Sequence, residues 1–275
     1  MRIEGGEFGP APVDDPRCYP GQIPDYSYLL VRYAVHPLEA GSTGGLLDAL
    51  GDSLLRLGAA PLEERHPVLF YGSNAAPAQL ARKYANSSAG FVVPAVLGAV
   101  DGVDAVYSSH VSPYGAVPAT LIASPGTSLS VHIGFLHDEQ IFVLDKTEPN
   151  YHRRTLWGGD YPASLASGEA LDSSTAYLSR HGVLILDGAP RRVAGVRADG
   201  SKLEAATEEA ILEEVIELWN RDHPREPLAG TNGYLKAIRS GALRPADVTS
   251  WLKHMSEPNG GLVDRGAGEL KSGGL

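Results

Sequence analysis

Leu69-Phe70-Tyr71-Gly72-Ser73-Asn74 is a short apolar run that stops at a Gly-Ser-Asn turn, and a helix-favouring stretch follows at once. A strand ending in such a turn aims several backbone N–H groups at one point, and the positive end of the next helix adds to them. The stretch therefore predicts a pocket for a small anion, carboxylate or phosphate. The helix is expected from about residue 75 to 84, with Ser73 or Asn74 as its N-cap and Pro77 in its first turn. Taken alone, the same residues also suit a plain strand-to-helix turn with Gly72 in the left-handed region.

Around this stretch the chain is β-rich. Val68 to Tyr71, Phe91 to Val100, Ala105 to Ser109, Ala119 to Ala123, Ser130 to Leu136 and Gln140 to Leu144 are short apolar or alternating runs separated by Gly, Pro and Asp. Strands this short, without crossover helices between them, suit a small closed β-barrel better than an open parallel sheet. Upstream, Tyr26 to Val35 reads as a strand or short helix. Leu46, Leu47, Leu50, Leu54, Leu55 and Leu57 then mark an amphipathic helix. Downstream, Val183 to Leu186, the Asp187-Gly188 turn and Arg192 to Val196 read as a hairpin. Helices are expected over Glu204 to Arg221, Tyr234 to Ser240 and Pro245 to His254, which gives a helical C-terminal extension. The fold class is α+β.

The ends differ from the middle. Residues 1–24 are dense in Pro, Gly and Asp and residues 256–275 in Gly, so a disordered or loosely packed leader and a flexible tail are expected around one domain over 25–255. The 275 residues carry a formal charge of −10, with basic residues only in scattered pairs, which disfavours nucleic acid and anionic membranes as partners. Cys18 is the one cysteine, so there is no disulfide framework and no thiolate metal site. No apolar signal core opens the chain, and no stretch approaches the roughly 18 apolar residues of a membrane span. A cytoplasmic protein with a small-molecule substrate is expected.

A second segment, Ile141-Phe142-Val143-Leu144-Asp145-Lys146-Thr147-Glu148-Pro149-Asn150-Tyr151-His152-Arg153-Arg154, brings four apolar residues to a polar turn. Glu148 stands between a strand end and Pro149, which biases its backbone to an extended form. A carboxylate held rigidly at a barrel mouth and partly desolvated suits a general base.

Tyr71-Gly72-Ser73-Asn74 followed some seventy residues later by Leu144-Asp145-x-x-Glu148, with Tyr151 and Arg153, resembles the gamma-glutamylcyclotransferase-like family over about residues 67–155. Val117 to Ile122, Pro125-Gly126 and Val131 to Phe135 look like that family's middle strands. The resemblance implies a compact β-barrel with flanking helices and a pocket for the glutamyl end of a small γ-glutamyl amide. The backbone at Gly72, Ser73 and Asn74 would bind the α-carboxylate, Tyr71 would be a pocket wall and Tyr151 a substrate contact. Glu148 matches the family's catalytic glutamate, which would release 5-oxoproline and an amine with no cofactor. Ala75 stands where the family usually has leucine, and Pro149 where glycine usually follows the glutamate.

Other chemistries find less support. Asp145 reads as a structural hydrogen-bond acceptor, and Arg153 and Arg154 as surface charge or partners for nearby acids. His132 and His137 lack a third metal ligand, and the Glu209, Glu213 and Glu217 ladder reads as a solvated face. Ser108-Ser109-His110 is a sequence neighbour pair without a nucleophile elbow, and neither a dinucleotide fingerprint nor a Walker loop occurs. A non-catalytic module binding a small carboxylate or a protein partner, and a different amide-forming or amide-cleaving enzyme, remain as alternative readings.

Overall fold

A computed structural model of the chain describes residues 9–39, 45–86, 92–260 and 262. β1 (Tyr28–Val31) and β2 (Ala34–Pro37) make a hairpin that turns at Arg32, φ 58°. α1 (Leu46–Arg56) follows, opened by the Gly45 N–H donating to Asp48 Oδ2 at 2.9 Å. Next come β3 (His66–Phe70), a single 3-10 turn over Ser73–Ala75, α2 (Pro77–Tyr84), β4 (Val92–Tyr107), β5 (Ala119–Leu136) and α3 (Asp138–Thr147). Then follow β6 (Tyr151–Trp157), β7 (Ala163–Leu165), β8 (Ala170–Leu171), β9 (Ser173–Ser179), β10 (Val183–Leu186), β11 (Ala189–Pro190), β12 (Arg192–Val193), β13 (Ala198–Asp199) and β14 (Ala205–Ala206). Helices α4 (Glu208–Asp222), α5 (Gly230–Ser240) and α6 (Pro245–Leu252) end in β15 (Ser256–Glu257), which pairs with β10.

The main sheet runs in the order β14-β12-β4-β5-β3-β9-β6 and is mixed, with parallel pairs β3·β9 and β12·β14. The sheet branches, with β1 and β7 also on β4 and β13 on β5, and among the described residues no pairing joins β14 to β6 to close the small barrel expected from strand spacing. The expected strands themselves change at β4 and β5. Four runs that read as short strands are two long ones, paired from Ala95↔Gly134 to Tyr107↔Ala119. The register shifts between Asp101 and Val103, where Gly102 (φ 80°) and Gly126 (φ 86°) bend the ribbon without ending it.

β3 is central because both its faces are covered. Leu69, with Tyr71 just beyond the strand, packs into the larger core with α1, α4, α5 and α6, whereas Val68 and Phe70 pack into a second core under α2 and α3. That two-sided burial is why residues 68–71 form an unbroken apolar run. Phe70 fits because its ring lies where a side chain at Gly134 would be: a Cβ there would come within 2.2 Å of it. Leu50 and Leu54 of α1 are fully buried, and each contributes about 1.5–3 kcal/mol of apolar burial.

The stretch Gln140 to Leu144, expected as a strand, lies inside helix α3. A four-residue apolar run does not separate helix from strand by itself. Here Asp138 and Glu139 occupy a first turn, Gln140 Oε1 accepts the His137 N–H at 3.4 Å, and only Gln140, Ile141 and Leu144 are buried, a helical spacing. The expected N-cap of α2 also moves: the 3-10 turn intervenes, Ala76 precedes the helix, and Pro77 takes its first position. The Asp187-Gly188 turn forms, but β11 pairs with β10, and Arg192-Val193 pairs instead with β4 and β14. The three C-terminal helices form close to the expected positions and share the larger core. Of the expected leader, residues 9–24 are described, and Pro16, Tyr19 and Pro20 are buried there. Most of the expected tail, 261 and 263–275, lies outside the described residues. Among the described residues no helix is long and apolar enough to cross a membrane.

Candidate functional site

The 69–74 segment and the end of α3 meet at one cavity of about 330 Å³. Two helices running antiparallel bring them together. At one end the Tyr84 hydroxyl of α2 donates to the Gln140 carbonyl of α3 at 3.0 Å. At the other, Asn74 just before α2 donates through Nδ2 to Oε1 of Glu148 just after α3, at 3.0 Å. Arg65 anchors the same frame, donating to the Phe135 carbonyl at 2.9 Å and to Gln140 Oε1 at 3.2 Å; burial pushes its guanidinium down to about 10.

The turn itself presents donors. Beyond Phe70 the chain leaves the sheet, and the Ala75 and Ala76 N–H groups bond back to the Gly72 and Ser73 carbonyls. Among the described residues no acceptor answers the N–H groups of Gly72, Ser73 and Asn74, and all three residues line the cavity. Gly72 has φ −144°, so the left-handed conformation considered from the sequence is not what requires glycine. Space does. A Cβ at Gly72 would stand 2.7 Å from the Tyr19 hydroxyl, which accepts the Ala119 N–H at 2.7 Å. A residue of the expected leader thus forms part of the cavity wall.

Glu148 lines the cavity with a side chain 14% exposed. Its Oε1 takes bonds from Asn74 Nδ2 and from the Lys83 ammonium, whose side chain is 9% exposed. Lys83 also donates to Asn74 Oδ1 at 2.7 Å, so the three side chains close a ring. Tyr71 is buried and donates its hydroxyl to the Tyr177 carbonyl; burial first, and the Glu148 charge second, push its phenol well above the ordinary value. Tyr151 lines the cavity and donates to the Ala119 carbonyl at 2.9 Å. Asp145 accepts from Tyr177 at 2.7 Å and from Arg153 at 2.9 Å, which makes it a structural acceptor and turns Arg153 away from the role of a substrate contact.

Sequence reading missed Lys83, Tyr19 and His110. His110 lines the cavity, stacks edge-on against Tyr151 with 5.4 Å between ring centres, and bonds through Nδ1 to Ser108 Oγ at 2.7 Å. Burial, then neighbouring His181, pushes the His110 imidazole down to about 3. Ser108 is not a cavity nucleophile: it is fully buried and also bonds Ser179 Oγ at 2.6 Å and the Gly182 carbonyl at 3.2 Å. His132 is packed in the interior, its Nε2 against the Tyr26 carbonyl at 3.1 Å. Among the described residues no group of three potential ligands is placed to hold a metal ion.

A second buried glutamate stands apart from this cavity. Glu208, in the first turn of α4, is 1% exposed; one oxygen accepts the Val117 N–H at 2.7 Å and the other has no partner among the described residues. Burial pushes its carboxyl well above the ordinary carboxylate value, against the pull of the Val117 bond.

Among solved structures the chain is similar to a gamma-glutamyl cyclotransferase, at 13% identity and a TM-score of 0.34, over 76% of this chain and 94% of that one. It is also similar to an uncharacterized protein from Homo sapiens, at 14% identity and a TM-score of 0.34, over 72% and 90% of the two chains. Neither a protein-family model nor a curated protein matches.

Proposed function

We propose that the chain is a γ-glutamyl cyclotransferase-like enzyme that converts a small γ-glutamyl amide to 5-oxoproline and a free amine. One observation carries this reading: Gly72, Ser73 and Asn74, whose three successive N–H groups meet no acceptor among the described residues, line the same cavity as Glu148. The volume of about 330 Å³ falls at the lower end of small-ligand sites. The donors, with the positive end of α2 behind them, suit the substrate's α-carboxylate.

In this reading Glu148 takes a proton from the α-ammonium, and the freed nitrogen attacks the γ-carbonyl carbon of the same molecule. The tetrahedral intermediate collapses as the bond to the departing amine breaks: Glu148 returns its proton to that nitrogen, and the ring nitrogen gives up its second extra proton through the same carboxylate, so that the amine leaves as its ammonium. No water is consumed. Because both reacting groups belong to one molecule, positioning supplies much of the acceleration, roughly 7–11 kcal/mol in the best cases. Tyr71 and Tyr151 shape the wall, each holding its hydroxyl on a backbone carbonyl.

The test is incubation with a panel of γ-glutamyl amides and detection of 5-oxoproline by mass spectrometry. Release from at least one amide is expected, and none from any would remove the assignment. A second reading, a non-catalytic carboxylate-binding module on the same scaffold, is favoured by the Lys83 ammonium already resting on Glu148. Its signature is thermal stabilisation by an amide without product, about 2.7 kcal/mol at a hundred times Kd.

A further inference from the structure

A lysine against the one carboxylate that would handle a substrate ammonium looks, at first, like an occupant of the substrate's place. The distribution of bonds says otherwise. Both the Lys83 and the Asn74 bonds go to Oε1, and among the described residues no donor reaches Oε2. A carboxylate has room for about four hydrogen bonds, two on each oxygen. With Oε1 filled on the side of α2, the oxygen left to meet a ligand is Oε2.

We infer that Lys83 is a positioning residue for Glu148, clamping Oε1 together with Asn74 so that Oε2 is the oxygen that exchanges a proton with the substrate. This rests on the cyclotransferase reading of the site. The ring of three side chains supports it, because each member fixes another. Lys83 donates to Asn74 Oδ1 at 2.7 Å, which orients the Asn74 amide so that Nδ2 faces Glu148 at 3.0 Å. Lys83 has little freedom to leave, with its side chain 9% exposed in the last turn of α2. It also offsets the carboxylate's charge inside the cavity, so that a second anionic group, the substrate's α-carboxylate, can enter beside it at lower electrostatic cost. A backbone site alone would not specify which of the two glutamate oxygens acts.

The experiment compares wild type, Lys83→Met, Lys83→Gln and Lys83→Arg on an amide that wild type turns over. Lys83→Met and Lys83→Gln are expected to lower kcat by about 10- to 100-fold, the scale of a small misplacement of a reacting group. Lys83→Arg, which keeps a cation within reach of Oε1, is expected to recover most of kcat, and KM is expected to change less than kcat in all three. Turnover as fast as wild type in Lys83→Met or Lys83→Gln, or faster because an occupant has been removed, would overturn the inference; so would failure of Lys83→Arg to rescue a folded protein. If wild type releases no 5-oxoproline from any amide, the functional reading fails separately. Ligand-free crystal structures of wild type and Lys83→Gln then decide the clamp: Oε2 facing the cavity in wild type and a rotated carboxylate in the variant support it, and an unchanged carboxylate overturns it.

Discussion

Glu148 and Glu208 are both withdrawn from bulk water, yet the chain treats them in opposite ways. Glu148 lines a cavity and has a cation and an amide donor on Oε1, and among the described residues no donor on Oε2. Glu208 has one backbone N–H and, among the described residues, no cation bonded to it and no partner for its other oxygen. Isolating a charge from water is far more costly than isolating a neutral acid, so burial favours the protonated form of Glu208. The difference separates a carboxylate held by a cation and an amide beside a cavity from one whose burial favours its protonated form.

The largest expected effect sharpens this contrast. Glu148→Gln keeps the shape but cannot take a proton, and it should lower 5-oxoproline release by about 10²–10⁴-fold with the circular dichroism spectrum unchanged; activity near wild type would place the chemistry elsewhere. Next is the wall beside the turn. Gly72→Ala puts a methyl against the Tyr19 hydroxyl, and a cost of about 1–3 kcal/mol is expected in denaturant unfolding, with weaker amide binding. Unchanged stability and binding would mean that the turn relaxes freely.

Glu208→Gln tests the other half of the contrast. The folded-state value of Glu208 lies above its unfolded value near 4.5, so its protonated form contributes stability that is fully present below that pH and is lost as pH rises towards the folded value. The variant should match wild type near pH 4 and exceed its Tm increasingly above pH 4.5, by about 2–8 °C at pH 7.5. A Tm difference that does not depend on pH would contradict a neutral Glu208. His110 gives the smallest effect and the opposite slope. Its folded value near 3 is below the unfolded 6.5, so its contribution is present above pH 6.5 and is lost as pH falls from there towards 3. In His110→Gln the Tm difference from wild type should shift by about 2–4 °C between pH 7 and pH 5.5, in favour of the variant at the lower pH.

What could be read from the sequence follows how locally each feature is determined. The 69–74 turn was legible because an unbroken apolar run buried on both faces ends at residues that cannot continue it. The three C-terminal helices were legible from long apolar periods. Residues 141–144 were not, because four apolar residues satisfy either period and the deciding signals, Asp138, Glu139 and Gln140, sit just upstream. The β4–β5 ribbon was broken into pieces on paper because Gly102 and Gly126 mark ends in short strands but bends in long ones. Glu148 and Asn74 were found through their paired spacing. Lys83 and Tyr19 were invisible: Lys83 reaches Glu148 across 65 positions of sequence, and Tyr19 reaches Ala119 across 100. Only the packing of α2 on α3, and of the leader on the β5 end, brings them in.

The central claim is that the Gly72–Asn74 backbone holds a carboxylate within reach of Glu148. Amide proton and nitrogen shifts of the Glu148→Gln protein, titrated with a γ-glutamyl amide that it does not consume, test this most directly. Saturable downfield shifts at Gly72, Ser73 and Asn74, absent with an analogue lacking the α-carboxylate, are expected. Saturable shifts that leave those three amides unmoved, or that are the same with both compounds, would contradict it.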